Sequence, residues 1–155
     1  MTLALAGCGS SGGKATPTAN PSPSTSVKID FFRLGQRAAS SKGTVVVHAY
    51  DPSVPSSDTV TPDPGDRFVA IDVEGCAGKH ADENTGIEPA VFYLQIGRKT
   101  YYPVDPGVRE PALHKTVLAP GRCARGWVTI EIPEGGKPQL AFYRGLTRIG
   151  WVLPR

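Results

Sequence analysis

Short runs of alternating apolar and polar residues, cut at close intervals by glycine or proline, restrict this chain more than any other feature. Its 155 residues include 18 Gly and 15 Pro, and both residue types terminate helices. No apolar stripe at 3.6-residue spacing is present, which argues against a bundle of long helices. Residues 43–50 place Val45, Val47 and Ala49 on one face and Val46, His48 and Tyr50 on the other. That is the β-branched pattern of a strand bounded by turns. Residues 68–74 alternate again, with Val69, Ile71 and Val73 on one side and Asp72 and Glu74 towards solvent. Phe92, Leu94 and Ile96 share a face in 91–96, and Gly97-Arg98 reads as a tight connection to a hairpin partner at 100–104. Further strands are expected at 113–118, at 122–132, where Val128, Ile130 and Ile132 oppose Trp127, Thr129 and Glu131, and at 140–143 and 149–153. Residues 27–34 alternate in part, as an edge strand or the lead into the domain. Pro52, Pro55, Pro62 and Pro64 make 51–66 an extended connection, and 77–89 reads as an irregular loop.

Seven or eight strands with turn residues between them predict an all-β domain over 27–155. The arrangement that buries one alternating face of each strand is a two-layer antiparallel sandwich, with a barrel as the rival. Lys+Arg 17 against Asp+Glu 14 leaves a net charge of +3, too even a balance to drive binding to a polyanion, so no nucleic-acid partner is expected. No run of 18 or more apolar residues exists to form a membrane helix.

The amino-terminal residues point to a different membrane attachment. Leu5-Ala6-Gly7-Cys8 resembles the lipobox of bacterial lipoproteins, in which the signal peptide is cut before the cysteine and the sulfur receives a diacylglyceryl group. The resemblance implies lipidation of Cys8, the membrane as a partner, and display on the outer face of the cell membrane, with a released, secreted form as the alternative. Residues 1–8 then form a truncated signal segment. Residues 9–26 follow it with fourteen Gly, Ser, Thr or Pro in eighteen positions. Such a stretch has too little apolar surface to offset its ordering entropy and is expected to be a flexible tether. The apolar run is short and no basic residue precedes Lys14, so Met1 is expected to be an internal or misplaced start, with the native chain beginning upstream. Outside the cytosol, Cys76 and Cys123 can form a disulfide; two buried free thiols are the alternative. CxxC spacing is absent, which removes the usual zinc-ribbon and thioredoxin-like patterns.

A wider resemblance joins Leu34-Gly35-Gln36, Val45 to Val47, Pro64-Gly65-Asp66-Arg67-Phe68-Val69, Pro120-Gly121, Gly126-Trp127-Val128, Ile132-Pro133 and Trp151-Val152-Leu153. These elements look like the telokin-like domain of unknown function, a family on secreted proteins and lipoproteins of Gram-positive bacteria; similar sandwiches include a mycobacterial secreted immunoprotective antigen. The resemblance implies an immunoglobulin-like sandwich and an extracytoplasmic location, and carries no catalytic residues. An antibody-type domain would place a Trp between its bridging cysteines. Trp127 and Trp151 both follow Cys123, so that subtype is not expected.

Little in the chain points to catalysis. His48, His80 and His114 are not spaced as metal ligands. His80, Asp82, Glu83 and Glu88 share a loop that does not match an EF-hand, and a solvated acidic loop is the simpler reading. No Gly-x-Ser-x-Gly elbow surrounds Ser40 or Ser41. No cofactor, resident metal or enzymatic activity is expected. The candidate binding face comprises Tyr93, Tyr101, Tyr102 and Tyr143 with Arg98, Lys99 and Arg144, residue types enriched at protein contacts. The expected function is therefore an envelope binding or protein-interaction module. An envelope hydrolase or metal-dependent enzyme, or a structural envelope component, are the alternatives.

Overall fold

A computed structural model describes residues 29–40, 42–145 and 148–155. Cys8, the 1–8 signal segment, the 9–26 tether and Ser41 lie outside the described residues. The strands, in chain order, are β1 (Asp30–Arg33), β2 (Arg37–Ser40), β3 (Gly43–Val54), β4 (Asp66–Ala77), β5 (Gly86–Ile87), β6 (Phe92–Ile96), β7 (Lys99–Tyr101), β8 (Thr116–Val117), β9 (Cys123–Pro133), β10 (Leu140–Arg144) and β11 (Arg148–Val152). A 3-10 turn, Pro89–Val91, leads into β6.

Two sheets form the sandwich, one of five strands in the order β1-β11-β10-β6-β7 and one of four in the order β2-β3-β4-β9. β5 and β8 pair separately. The sandwich is antiparallel throughout its main sheets except at one edge, where β1 runs parallel to β11 with Asp30 opposite Ile149 and Arg33 opposite Val152. At Leu34-Gly35 the chain then crosses from one sheet to the other. Gly35 supplies the positive φ of 80° that this corner needs, and its N–H donates to the Val47 carbonyl at 2.8 Å.

The main core fills the space between the sheets. Val45, Val47, Val69, Ile71, Val73, Val128, Ile130 and Ile132 project from the four-stranded sheet, and Phe92, Leu94, Ala141, Ile149 and Trp151 from the five-stranded one. Trp151 is fully buried and stacks obliquely on Phe32, with centroids 6.0 Å apart. Its indole N–H donates to the Gln36 carbonyl at 3.0 Å, tying β11 to the corner between β1 and β2. Cys76 and Cys123 are directly opposed on β4 and β9 and are joined as a disulfide. The bridge staples neighbours within one sheet instead of crossing between sheets.

A β-bulge between Val47 and Ala49 corrects the expected facing of β3. Val47 pairs with Val73, but Ala49 pairs with Asp72 and Tyr50 with Ile71. One residue is added to β3 and the alternation inverts beyond it, so Tyr50 packs against the main core and Ala49 turns away from it. Burial there pushes the Tyr50 phenol above its usual range, with Arg67 opposing the shift. Asp72 also departs from expectation: it does point out of the sandwich, but it is only 7% exposed. Phe68 and Ala70 lie on this outer side in a second cluster with Val54, packed by Val60, Val104, Val108 and Trp127. Arg125 closes over Asp72 with Nε 3.0 Å from Oδ1 and Nη2 2.5 Å from Oδ2.

Candidate functional site

Because side chains alternate across a strand, the register fixes which residues share the outer face of the five-stranded sheet. Phe31 on β1 opposes Gly150 on β11, Gly150 opposes Phe142 on β10, and Phe142 opposes Tyr93 on β6. Leu94 pairs with Tyr101, which brings Tyr102 next to Tyr93. The result is a row of rings perpendicular to the strands. Phe31 meets Phe142 edge-on at 6.4 Å, Phe142 stacks on Tyr93 at 5.1 Å, and Tyr93 lies 6.0 Å from Tyr102. Gly150 lets the row close, since a Cβ there would stand 3.0 Å from the Phe142 ring and 3.2 Å from that of Phe31. The inner rings shield one another, leaving Phe142 3% and Tyr93 7% exposed. The terminal rings do not: Phe31 is 54% and Tyr102 56% exposed, and Val152, in the adjacent row, is 50% exposed.

The structure therefore divides the set singled out in the sequence. Tyr93 and Tyr102 belong to the outer row. Tyr101 and Tyr143 face inward and pack against the main core, and burial raises the Tyr143 phenol above its usual pKa. Arg144 lies exposed beyond Phe142, whereas Arg98 and Lys99 lie exposed at the opposite end of the sheet. Phe31 and Phe142 complete the row and were not anticipated. Both sit in alternating runs, but alternation shows which residues share a face and not which face is turned outward.

Three of the remaining polar candidates, Asp82, Glu88 and His48, are engaged by neighbouring side chains. Asp82 holds its own loop: it accepts hydrogen bonds from Lys42 Nζ at 2.9 Å, the Thr85 hydroxyl at 3.0 Å and the Asn84 N–H at 3.0 Å. These donors, Lys42 foremost, hold its carboxyl below the usual aspartate range. Glu88 pairs with Lys115 at 3.2 Å, and His48 with Glu74 at 3.2 Å. Among the described residues, Glu74, Cys76 and Cys123 lie within metal-ligand distance of one another, and the disulfide engages both sulfurs.

Beyond β7 the chain runs along β9 and builds a cleft of about 480 Å³. On the outward limb Val104 N–H donates to the Thr129 carbonyl at 3.0 Å; on the return limb Trp127 N–H donates to the Pro111 carbonyl at 2.8 Å and Leu113 N–H to that of Trp127 at 2.9 Å. The buried Thr129 hydroxyl accepts from the Val108 and Arg109 N–H groups at 3.0 and 3.1 Å and secures the bend. Gly126 permits the close approach, because a Cβ there would stand 2.6 Å from the Leu113 nitrogen.

Residues 32–147 match the sequence profile of the family described as Domain of unknown function (DUF4352). The chain belongs to this family. No curated protein matches it significantly. Among solved structures it is similar to the secreted protein MPT63 of Mycobacterium tuberculosis, at 12% identity and a TM-score of 0.59, over 82% of this chain and 99% of that one. It is also similar to a candidate lipoprotein, ycdA, of Bacillus subtilis, at 12% identity and a TM-score of 0.58 over 74% of this chain. The chain spans only 37% of that Bacillus protein. At such identities the likeness shows the fold, and the immunoglobulin-like sandwich of this DUF4352 domain agrees with it.

Proposed function

We propose that this DUF4352 domain is a non-enzymatic, extracytoplasmic interaction module, anchored through lipid on Cys8 and engaging an envelope protein with the outer face of its five-stranded sheet. The observation that carries the reading is the aromatic row. Its rings belong to neither of the two buried clusters, yet they are aligned in register and end in two half-exposed aromatics. The exposed apolar surface lies at the two ends of the row, Phe31 and Tyr102, and at Val152 beside it; exposed apolar surface on a soluble domain can mark an interaction site, and aromatics are enriched where partners bury surface. The lipobox-like Leu5-Ala6-Gly7-Cys8 supports the anchor, and the descriptions of the two structural neighbours as a candidate lipoprotein and a secreted protein support the compartment. A thioether-linked diacylglyceryl group adds about 0.8 kcal/mol of membrane affinity per buried methylene, so two or more chains suffice for stable attachment.

Two measurements test this reading. Mass spectrometry of the mature amino terminus should find a diacylglyceryl adduct on Cys8, and Cys8→Ala should move the protein from membranes to medium; an unmodified Cys8 thiol overturns the anchor. Photo-crosslinking from position 31 or 102 in intact cells should yield a discrete adduct that is absent from position 117, where Val117 is exposed elsewhere on the domain. Equal labelling from all three positions overturns the docking face.

A further inference from the structure

We infer that the cleft beside β9 receives a basic side chain, Lys or Arg, presented by an extended peptide segment. This goes beyond the module reading and is independent of the aromatic row, with which the cleft shares only Tyr102.

The argument begins with charge. The whole chain carries +3, but the cleft is acidic, with Glu88, Asp105 and Glu110 set against Lys115 and His114. Glu88 is neutralised by Lys115. One Glu110 oxygen accepts the Ala112 N–H at 2.8 Å and leaves the other available. Asp105 is exposed. The local field therefore favours a cation in a molecule whose overall charge disfavours one.

Shape then decides which cation. The three carboxylates do not form a group of oxygens within metal-ligand distance, since such grouping among the described residues occurs only at Glu74, Cys76 and Cys123. A bare divalent ion would need converging oxygens. The walls are instead apolar: Pro103, Pro106 and Leu113 line the cleft together with the rings of Tyr102 and Trp127. A long side chain can lay its methylenes on such surface while its charged head reaches the carboxylates. The volume of 480 Å³ falls within the range of about 300–1,000 Å³ typical of ligand sites, and it accommodates one long side chain with its flanking backbone.

The protein already uses this chemistry on itself. The Arg109 guanidinium lies 5.0 Å from the Trp127 ring centroid, and its Nε is 3.3 Å from Asp51 Oδ2. An aromatic face with a carboxylate beside it thus holds an arginine at the margin of the same loop, as the attraction of cations to ring faces requires.

The test uses the whole chain and blocked pentapeptides with Lys, Arg, Gln or Glu at the centre, at low salt. Amide shifts by NMR locate binding. Trp127 emission reports occupancy, because Trp151 is fully buried in the core. Lys and Arg peptides should perturb residues 103–107, 110–115 and 127–129 saturably, bind at least about tenfold more tightly than the Gln peptide, and weaken as salt rises. The double variant D105N/E110Q, which keeps an acceptor for the Ala112 N–H, should lose about tenfold in affinity for the basic peptides with an unchanged melting temperature. Equal affinity for the Gln peptide, perturbations confined to the sheet face, or full affinity in the double variant each overturn the inference. Butylammonium binding as tightly as the Lys peptide overturns the peptide part and restricts the cleft to small amines.

Discussion

Removing the Cys76–Cys123 bridge tests how much of the domain's stability comes from restraint on the unfolded chain. The cysteines are 47 positions apart in sequence, and the intervening segment contains β5 to β8 and the whole cleft loop. The loop-closure argument assigns a cross-link of this span about 4 kcal/mol at 25 °C. The folded side should contribute little of its own. Cys76 and Cys123 terminate a ladder that continues in register to Asp66 and Pro133, so β4 and β9 remain paired without the bridge. A C76S/C123S variant should therefore keep its fold but melt roughly 12–20 °C lower, at roughly 3–5 °C per kcal/mol for a domain of this size. Its urea m-value should rise, because the freed denatured chain exposes more surface. Circular dichroism and urea titration of both forms under non-reducing conditions provide the measurement. A melting point lowered by less than about 4 °C, or an unchanged m-value with a large stability loss, would refute the entropic reasoning.

Other expectations follow from single contacts. Gly126→Ala places a methyl against the backbone of Ala112 and Leu113; it should cost about 2–3 kcal/mol and raise amide exchange across 110–115, measurable by hydrogen exchange. Thr129→Val removes the shared acceptor of the Val108 and Arg109 N–H groups and should cost about 1–3 kcal/mol, with exchange rising at 108–109 before the core opens. Asp82 has a depressed folded pKa, so its support of the 82–85 loop is present above the ordinary aspartate pKa of about 3.9 and is lost as pH falls through the folded value. Asp82→Asn should remove that part of the acid dependence in melts recorded between neutral and acid pH.

Strands with strict alternation were readable because one face must be buried: Val69, Ile71 and Val73, or Val128, Ile130 and Ile132, have a single way to meet the opposite sheet. Alternation leaves the outcome open where a local irregularity or a long-range neighbour decides it. The bulge after Val47 inverts Ala49 and Tyr50 without any distinctive residue to announce it. Asp72 is covered by Arg125, which lies far along the chain. β2 and β5 are short, and their pairing depends on where β3 and β8 place a free edge. The candidate binding face was half legible for the same reason. Tyrosine identity can suggest a contact surface, but the register across the five strands of that sheet selects Tyr93 and Tyr102 and supplies Phe31 and Phe142 as their neighbours.

The parallel pairing of β1 with β11 has a mechanical consequence. Asp30 lies beside Ile149 and Arg33 beside Val152, so tension applied at the start of β1 and the end of β11 pulls the two strands lengthwise past each other. Their hydrogen bonds then bear the load together as a shear joint, where an antiparallel terminal pair would peel apart one link at a time. A domain held to a surface at one end and gripped at the other is thereby built to resist being drawn out.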